Sequence, residues 1–286
     1  MERLQRYRRM IDRALQDVLP PAAAQPHELH RAMRYCALSS AKRLRPILTL
    51  AVAECLGGAL REAMPSACAI EIVHTYSLVH DDLPSMDDAE TRRGRLSCHR
   101  KFGEAMAILT GDALLTTAFE IVAGRTGDPR MAALLIGEIA RAIGSRGMIR
   151  GQVMDIRPPR RMTAAHLRTT HRTKTALLFA AASRCGAICA DATPTTIDLF
   201  GDFGETTGLA FQIVDDILDA DADGRGTAGG ESCSYPALHG MTKAIGDAEG
   251  LLRRAMAIAR KGTRKPDDLL RIVDLIVKRL SDAASS

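Results

Sequence analysis

The chain has 286 residues, of which 46% are hydrophobic and 26% charged, and its formal net charge is +5. This balance excludes a disordered chain, and the charge is too small to indicate a nucleic-acid partner by itself. Aromatic residues make up only 3% and Trp is absent, which favours helices over sheets.

Helical periodicity runs along almost the whole sequence. Apolar residues recur at helical spacing over 102–124 and again over 269–280, and no pair of alternating strands is evident. Pro- and Gly-containing breaks divide the chain into roughly ten helices. We therefore predict an all-α fold, a helical bundle in a single domain over residues 1–286.

The N-terminal segment and the cysteines indicate the compartment. The first 19 residues are amphipathic and charged, without an apolar signal core, and no stretch approaches the ~18 apolar residues of a membrane span. The seven cysteines are scattered and complete no zinc pattern. We expect reduced thiols in a cytoplasmic protein that does not span a membrane.

Three basic segments are candidates for binding an anion. Lys42 and Arg45 lie at the predicted start of a helix, and Pro46 is favourable in the first turn of that helix. The N-terminus of a helix attracts anions. Arg92-Arg93 is the second segment, and Lys174-Thr175, which opens an apolar run, is the third. Taken singly, such residues are more often solvated charges, and we expect that of Arg43, Arg100 and Lys101.

Two acidic clusters, at 81–88 and 215–219, carry the strongest signal. Each follows an apolar run, so neither looks like a solvated loop, although a single Asp-Asp pair is more often a helix cap. Neighbouring carboxylates repel unless cations offset their charge, and Mg²⁺ prefers such oxygen ligands together with substrate phosphates. Asp215 and Asp219 share one helix face, whereas Pro84 predicts that the first cluster lies at a helix end.

The order of these motifs identifies a family. The stretch from Glu71 to Asp88 resembles the first aspartate-rich motif of the trans-prenyl diphosphate synthases, and 210–219 resembles their second. The segments 41–46, 111–115, 151–152, 174–175 and 234–237 follow in the family order. The resemblance covers about residues 35 to 240.

This resemblance implies an isoprenoid-synthase bundle around a deep central cavity, usually in a homodimer. It implies an Mg²⁺-dependent condensation of isopentenyl diphosphate with an allylic diphosphate. The metal ligands, for about three Mg²⁺ ions, would be Asp81, Asp82, Asp87, Asp215 and Asp219. The allylic diphosphate would bind Arg92, Lys174, Thr175 and Gln212. Isopentenyl diphosphate would bind Lys42, Arg45, His74 and Arg93.

The two histidines before the first acidic cluster are expected to differ in role. A lone His on an apolar face is more often a core residue, but His74 matches the family's substrate histidine. We expect His80, beside Asp81, to be structural.

The resemblance also addresses product length. In the family, the residue five positions before the first aspartate lies on the floor of the tail pocket, and here it is Tyr76, followed by Ser77. A ring there favours farnesyl diphosphate (C15), and geranylgeranyl diphosphate (C20) stays open.

The chain departs from the family pattern after the second motif. The segment 220–231 is short and glycine-rich, and Ser232 stands where the family has a lysine, so that only Arg225 offers a cation nearby. This departure leaves open the alternative that the chain is a non-catalytic partner subunit that alters the product of another prenyl synthase. A terpene cyclase is less well supported, because ten aromatic residues and a second Asp-rich motif do not suit it.

Overall fold

Helices account for nearly all the regular structure. The computed structural model describes residues 2–223 and 234–284, and these ranges contain fourteen α-helices. They are α1 Glu2–Val18, α2 His27–Ala37, α3 Leu44–Cys55, α4 Leu60–Asp81, α5 Cys98–Phe102, α6 Glu104–Arg125, α7 Pro129–Ile143, α8 Met148–Ile156, α9 Ala164–His171, α10 Leu177–Cys189, α11 Pro194–Asp223, α12 Tyr235–His239, α13 Met241–Gly262 and α14 Asp267–Ala284. The estimate of ten helices was low, partly because α5 and α12 have only five residues each.

Three central helices are apolar around most of their circumference. α3, α4 and α10 bury residues on all sides, which is typical of helices in the middle of a bundle. α14 instead buries one stripe, which includes Leu269, Val273, Ile276 and Leu280. One hydrophobic cluster connects these helices with α1, α6, α11 and α13. The predicted all-α, single-domain bundle around a central cavity is confirmed.

A short β-ribbon, which the sequence did not predict, interrupts the helices. Thr91–Arg92 (β1) pairs with Arg95–Leu96 (β2) in antiparallel register. Arg93 and Gly94 between them have φ values of 54° and 72°. A two-residue hairpin loop with positive φ at both positions is the type I′ turn, which matches the twist of the strands. The expectation of no hairpin was therefore wrong.

One helix is long and apolar enough to cross a membrane by length and composition alone. It is α6, and 44% of its most apolar 18-residue window is buried within the bundle. The core helix of a globular protein passes the same test, so this finding gives weak support to a membrane span. The six cysteines in the described ranges are free thiols.

Gly151 allows α8 to pass close to the backbone at Lys174. A Cβ at position 151 would lie 2.3 Å from the Lys174 backbone nitrogen, whereas a Cβ at Gly250 on α13 would meet nothing within 4 Å. We expect Gly151→Ala to lower the free energy of unfolding by at least about 2 kcal/mol, because backbone cannot move aside cheaply. Gly250→Ala, the control, should raise it by about 0.5–1 kcal/mol through helix propensity. Urea denaturation of both variants measures this, and equal effects would contradict the packing.

Candidate active site

A cavity of about 480 Å³ lies between α3, α4, α8, α10 and α11. Nine of the fifteen predicted site residues line it: Arg45, His74, Tyr76, Ser77, Asp81, Lys174, Thr175, Gln212 and Asp215. One aspartate from each acidic cluster therefore faces the same space. The other six, Lys42, Asp82, Asp87, Arg92, Arg93 and Asp219, are not part of this lining.

Asp81 is the last residue of α4, as the position of Pro84 predicts. The C-terminus of a helix carries a partial negative charge, which disfavours a carboxylate. Burial raises the pKa of Asp81 to about 6, with Asp87 adding to the shift and Lys174 opposing it. Asp81 is therefore a carboxylate that a nearby cation would stabilise strongly.

Asp82 points into a smaller cleft beside the main cavity. It is 2% exposed, and the Arg92 Nε donates to its Oδ1 at 2.8 Å. Arg92 and Arg93, which the β-hairpin carries, line this same cleft. Asp87 lies exposed on the loop beyond, and its backbone nitrogen donates to the Asp81 carbonyl at 2.9 Å. The first cluster thus divides between the cavity, the cleft and the surface.

The second acidic cluster lies on α11, with neighbouring aspartates in different surroundings. Asp215 lines the cavity, and its Oδ1 accepts a hydrogen bond from the Arg279 Nη2 at 2.5 Å. Burial raises the pKa of Asp215, although Arg279 opposes the shift. Asp219, one turn further on, is exposed.

Asp216 is not part of the cavity lining, and three donors hold its carboxylate. The His171 Nε2 lies 3.2 Å from its Oδ2, and the Tyr235 backbone nitrogen donates to the same oxygen at 2.8 Å. The Gln212 Nε2 donates to its Oδ1 at 3.0 Å. Burial alone would raise the pKa of Asp216, but these hydrogen bonds outweigh burial and lower it. Asp216 therefore anchors α11 to α9 and α12.

The turn before α3 presents the first basic segment. Arg43 takes a left-handed conformation with φ of 52° and is 3% exposed. Its Nη1 donates to the Glu71 Oε1 at 2.5 Å, and its Nε donates to Asp12 at 3.0 Å. The expectation that Arg43 is a solvated charge was wrong, because this buried ion pair fixes the turn between Lys42 and Arg45.

Arg45 and His74 form a polar pair inside the cavity. The Arg45 Nη1 lies 3.2 Å from the His74 Nε2, and the Arg45 Cζ lies 4.5 Å from the ring centroid of Phe179. Burial lowers the pKa of Arg45 to about 10, and burial followed by Arg45 lowers that of His74 well below its usual value. The Arg45 Nε has no hydrogen-bond partner. A charged guanidinium and a neutral imidazole thus face the cavity with unused hydrogen-bonding capacity.

A π-helical turn, Arg172–Ala176, joins α9 to α10 and carries Lys174 and Thr175. Such turns occur frequently at functional sites. The Thr175 hydroxyl donates to the Gln212 Oε1 at 2.6 Å. The Lys174 Nζ donates to the Asp155 Oδ2 at 2.5 Å. The turn therefore directs both residues toward α8 and α11 at the cavity wall.

The remaining wall of the cavity is apolar. Ile149, Val153 and Ile156 on α8 are 46–51% exposed because they face the cavity. Tyr76 lies at this wall, 5% exposed, with a buried hydroxyl that has no hydrogen-bond partner. Its ring makes an edge contact with His80 at 5.9 Å between centroids. His80, expected to be structural, also lines the cavity, and its Nε2 lies 3.1 Å from the Ile108 carbonyl oxygen.

The sequence did not identify several polar residues of the site. They are Asp155, which binds Lys174; His171, which binds Asp216; Arg279, which binds Asp215; and Gln152, whose two amide atoms are buried without partners. Gln152 belongs to the 151–152 motif, which offered a signal. His171 and Arg279 gave none, because each is a single basic residue on an amphipathic helix.

The donor set of the cavity fits Mg²⁺. Among the residues that the structure describes, no three His, Cys, Asp or Glu side chains are grouped to hold an ion by themselves. Mg²⁺ commonly binds one or two carboxylates and takes its other ligands from water and substrate phosphates. Asp81 and Asp215, both half-buried and with raised pKa values, suit that mode. Arg225 and Ser232, at the predicted departure from the family, lie outside the described residues.

Comparisons with known proteins agree with this geometry. The family model "Polyprenyl synthetase" matches residues 26–276. The chain belongs to the polyprenyl synthetase family. The predicted resemblance to short-chain trans-prenyl diphosphate synthases, and with it the enzyme class of prenyltransferases, is confirmed.

Individual polyprenyl synthetases resemble the chain over most of its length. A geranylgeranyl pyrophosphate synthase of Catharanthus roseus is 38% identical over 94% of this chain and 78% of its own length. A dimethylallyltranstransferase of Fischerella ambigua is 37% identical over 95% and 81%. The apo crystal structure of an FPP/GFPP synthase from Zymomonas mobilis aligns with a TM-score of 0.87 and 33% identity, covering 96% of this chain and 98% of that one.

The raised pKa of Asp81 leads to a stability prediction. The pKa of this carboxyl is about 6 in the folded chain and about 3.9 in the unfolded one, so the ionised form destabilises the metal-free fold above pH 6. Asp81→Asn should stabilise the protein at pH 8 in EDTA, by on the order of 2–3 kcal/mol. This gain should shrink as the pH falls through 6 and vanish below about 4.

Chemical denaturation across this pH range measures the gain. Asp274→Asn, which removes an exposed carboxylate on α14, is the control and should have little effect at any pH. A gain for Asp81→Asn that does not change with pH would show that the charge of Asp81 is not its cause.

Proposed function

We propose that this chain catalyses the Mg²⁺-dependent condensation of isopentenyl diphosphate with an allylic diphosphate, giving farnesyl (C15) or geranylgeranyl (C20) diphosphate. One observation carries the proposal: Asp81 and Asp215, from two different helices, face one cavity whose other walls are cationic and apolar. Carboxylates and cations suit metal-bound diphosphates, and an apolar wall suits a hydrocarbon tail. The volume of about 480 Å³ is that of a small-molecule site.

The proposed roles divide the polar residues between two substrates. Asp81, Asp82, Asp87, Asp215 and Asp219 would hold about three Mg²⁺ ions. Arg92, Lys174, Thr175 and Gln212 would hold the allylic diphosphate, and Lys42, Arg45, His74 and Arg93 would hold isopentenyl diphosphate. The unpartnered Arg45 Nε and the neutral His74 beside it support an anion at the second position.

The reaction needs stabilisation of a leaving group more than a protein base. Mg²⁺, when bound, would neutralise the charge that develops on the departing diphosphate. Lys174 and Arg92, whose charges both act on Asp81, would add to that stabilisation. The allylic C–O bond breaks with its electron pair on the diphosphate, and the isopentenyl double bond then forms the new C–C bond. A proton leaves the product, for which the released diphosphate is the proposed acceptor.

The proposal also covers the oligomeric state and the cellular location. α6 leaves Ile108 and Leu109 about half exposed, which supports a homodimer covering that face. The free thiols of the described cysteines support a reducing, cytoplasmic location.

A role as the partner subunit of another synthase is the second candidate function. A protein named as a heterodimeric geranylgeranyl pyrophosphate synthase large subunit of Arabidopsis thaliana is 40% identical over 86% of this chain. We propose residues 1–286 as one catalytic domain.

Removing either cavity aspartate should abolish the activity. With Mg²⁺, isopentenyl diphosphate and an allylic primer, Asp81→Ala and Asp215→Ala should each lower kcat at least about 100-fold, because the leaving group loses its stabilisation. Asp202→Ala, an exposed position on the same α11 helix, is the control. Near-normal turnover in either cavity variant would contradict the mechanism, and inactivity of the unmutated chain with every primer would favour the subunit role.

Tyr76 should limit the length of the product. Tyr76 lines the cavity next to its apolar wall, and we propose that its ring limits the length of the tail. Tyr76→Ala should therefore shift the product to one at least a five-carbon unit longer, as identified by mass spectrometry. Leu134→Ala, an exposed position outside the cavity, should leave the product unchanged. An unchanged product for Tyr76→Ala would show that another residue sets the length.

A further inference from the structure

Two of the free thiols lie together in the cleft that contains Asp82. Cys36 on α2 and Cys98, the first residue of α5, both line this cleft, and its volume of about 30 Å³ leaves room for roughly one or two water molecules. The Cys36 thiol is close enough to Cys98 for a hydrogen bond, which lowers the pKa of Cys98. Neither thiol has a role in the proposed condensation.

Contacts of the neighbouring residues hold the two cysteines in place. The Tyr35 hydroxyl donates to the Leu96 carbonyl oxygen at 2.8 Å, and the Tyr35 ring meets the Phe102 ring edge-on at 5.4 Å between centroids. Cys98 lies between these two contact points in the sequence, and Cys36 directly follows Tyr35. The pair is therefore held together by contacts other than its own, which is the arrangement of a reactive cysteine beside a resolving cysteine.

The cleft also gives this pair access to small solutes. Cys36 is half-buried, and Cys98, although only 3% exposed, is reached through the cleft. A peroxide molecule is close to water in size and can enter a space that holds water. The other described cysteines lack this combination: three are buried, namely Cys68, Cys185 and Cys189, and the thiol of Cys55 donates to a backbone carbonyl of its own helix.

α2 connects Cys36 to an arginine with a proposed substrate role. The hydroxyl of Ser39, one turn after Cys36, donates to the Cys36 carbonyl oxygen at 2.8 Å and accepts a hydrogen bond from the Arg93 Nη1 at 3.1 Å. Across the same cleft, Arg92 holds Asp82. A disulfide brings its two sulfurs to about 2.05 Å, so it would draw the end of α2 towards α5. Ser39 would move with α2, and Arg93 would lose its position.

We propose that Cys36 and Cys98 are a modification site at which hydrogen peroxide forms a reversible disulfide that weakens the binding of isopentenyl diphosphate. One thiol gives up its proton and attacks the peroxide, which yields a sulfenic acid and one water molecule. The other thiol then attacks the sulfenic sulfur, so that the S–S bond forms and a second water molecule leaves. Two thiols are thereby oxidised while one peroxide is reduced, and a thiol reductant reverses the change by exchange.

This chemistry agrees with a reducing compartment, where disulfides are usually transient and redox-sensing. Formation of the bond does not depend on the proposed function. Its effect on substrate binding does rest on that function, so the two are measured separately.

Counting thiols after oxidation tests the bond itself. The reduced chain is treated with hydrogen peroxide, unfolded in N-ethylmaleimide and weighed by mass spectrometry, with and without later dithiothreitol. The oxidised chain should carry two fewer maleimides than the seven of the reduced chain, and its tryptic digest should contain Cys36 and Cys98 in one cross-linked peptide. Cys36→Ser should form no such bond. Cys55→Ser, which removes a half-buried thiol outside the cleft, is the control and should behave like the unmutated chain.

Steady-state kinetics test the consequence of the bond. Oxidation should raise the KM of isopentenyl diphosphate at least about tenfold, because a charged hydrogen-bonding group is displaced, and dithiothreitol should restore it. Cys55→Ser should respond in the same way, whereas Cys36→Ser should keep its KM after peroxide. A Cys36–Cys98 bond that leaves KM unchanged, or an equal loss in Cys36→Ser, would overturn the proposal.

The remaining outcomes also decide. If Cys36→Ser does not fold, the cross-linked peptide of the unmutated chain is the test of the bond, and its absence after peroxide treatment overturns the proposal. If the reduced chain elongates no primer, the proposed function fails, and the Kd of isopentenyl diphosphate before and after oxidation replaces KM. An unchanged Kd would then overturn the effect of the disulfide.

Discussion

Charges that the protein alone cannot neutralise meet in one cavity, and the rest of the architecture serves to hold them there. Asp81 and Asp215 lie on α4 and α11, and burial raises the pKa of both. Arg45 is a cation whose pKa burial lowers. Each charged group would be better solvated in water, so its burial costs free energy. The apolar packing of the bundle must offset that cost. A metal-bound diphosphate would supply both the missing positive and the missing negative charge.

Irregular backbone positions charged groups at this cavity, at the cleft beside it and in the turn before α3. Arg43 and Arg93 have positive φ, and Lys174 lies in a π-helical turn. These conformations are sparsely populated in proteins and persist where the surroundings fix them. The buried pair of Arg43 with Glu71 and the close passage of Gly151 past Lys174 are two such surroundings. The regular helices thus provide rigidity, and the irregular turns direct the side chains.

Much of the fold followed from local sequence signals. The end of α4 at Asp81 follows from Pro84, and the start of α3 follows from the segment with Pro46. The meeting of the two clusters followed from the family resemblance, and nine predicted residues do line one cavity, although their roles stay predictions. The inward turn of Arg43, the cleft of Asp82 and the contact of Arg279 with Asp215 could not be predicted. Each depends on tertiary contacts with distant segments, as in the 64 positions between Asp215 and Arg279.

The central claim is that Asp81 and Asp215 bind divalent cations jointly with a diphosphate. The most direct test measures Mn²⁺ binding with and without inorganic pyrophosphate, in the unmutated chain and in Asp81→Asn and Asp215→Asn. The account predicts weak binding alone, because the described residues group no three ligands, and much tighter binding with pyrophosphate. Either substitution should remove most of that gain. Tight Mn²⁺ binding without pyrophosphate, or a gain that survives both substitutions, would contradict it.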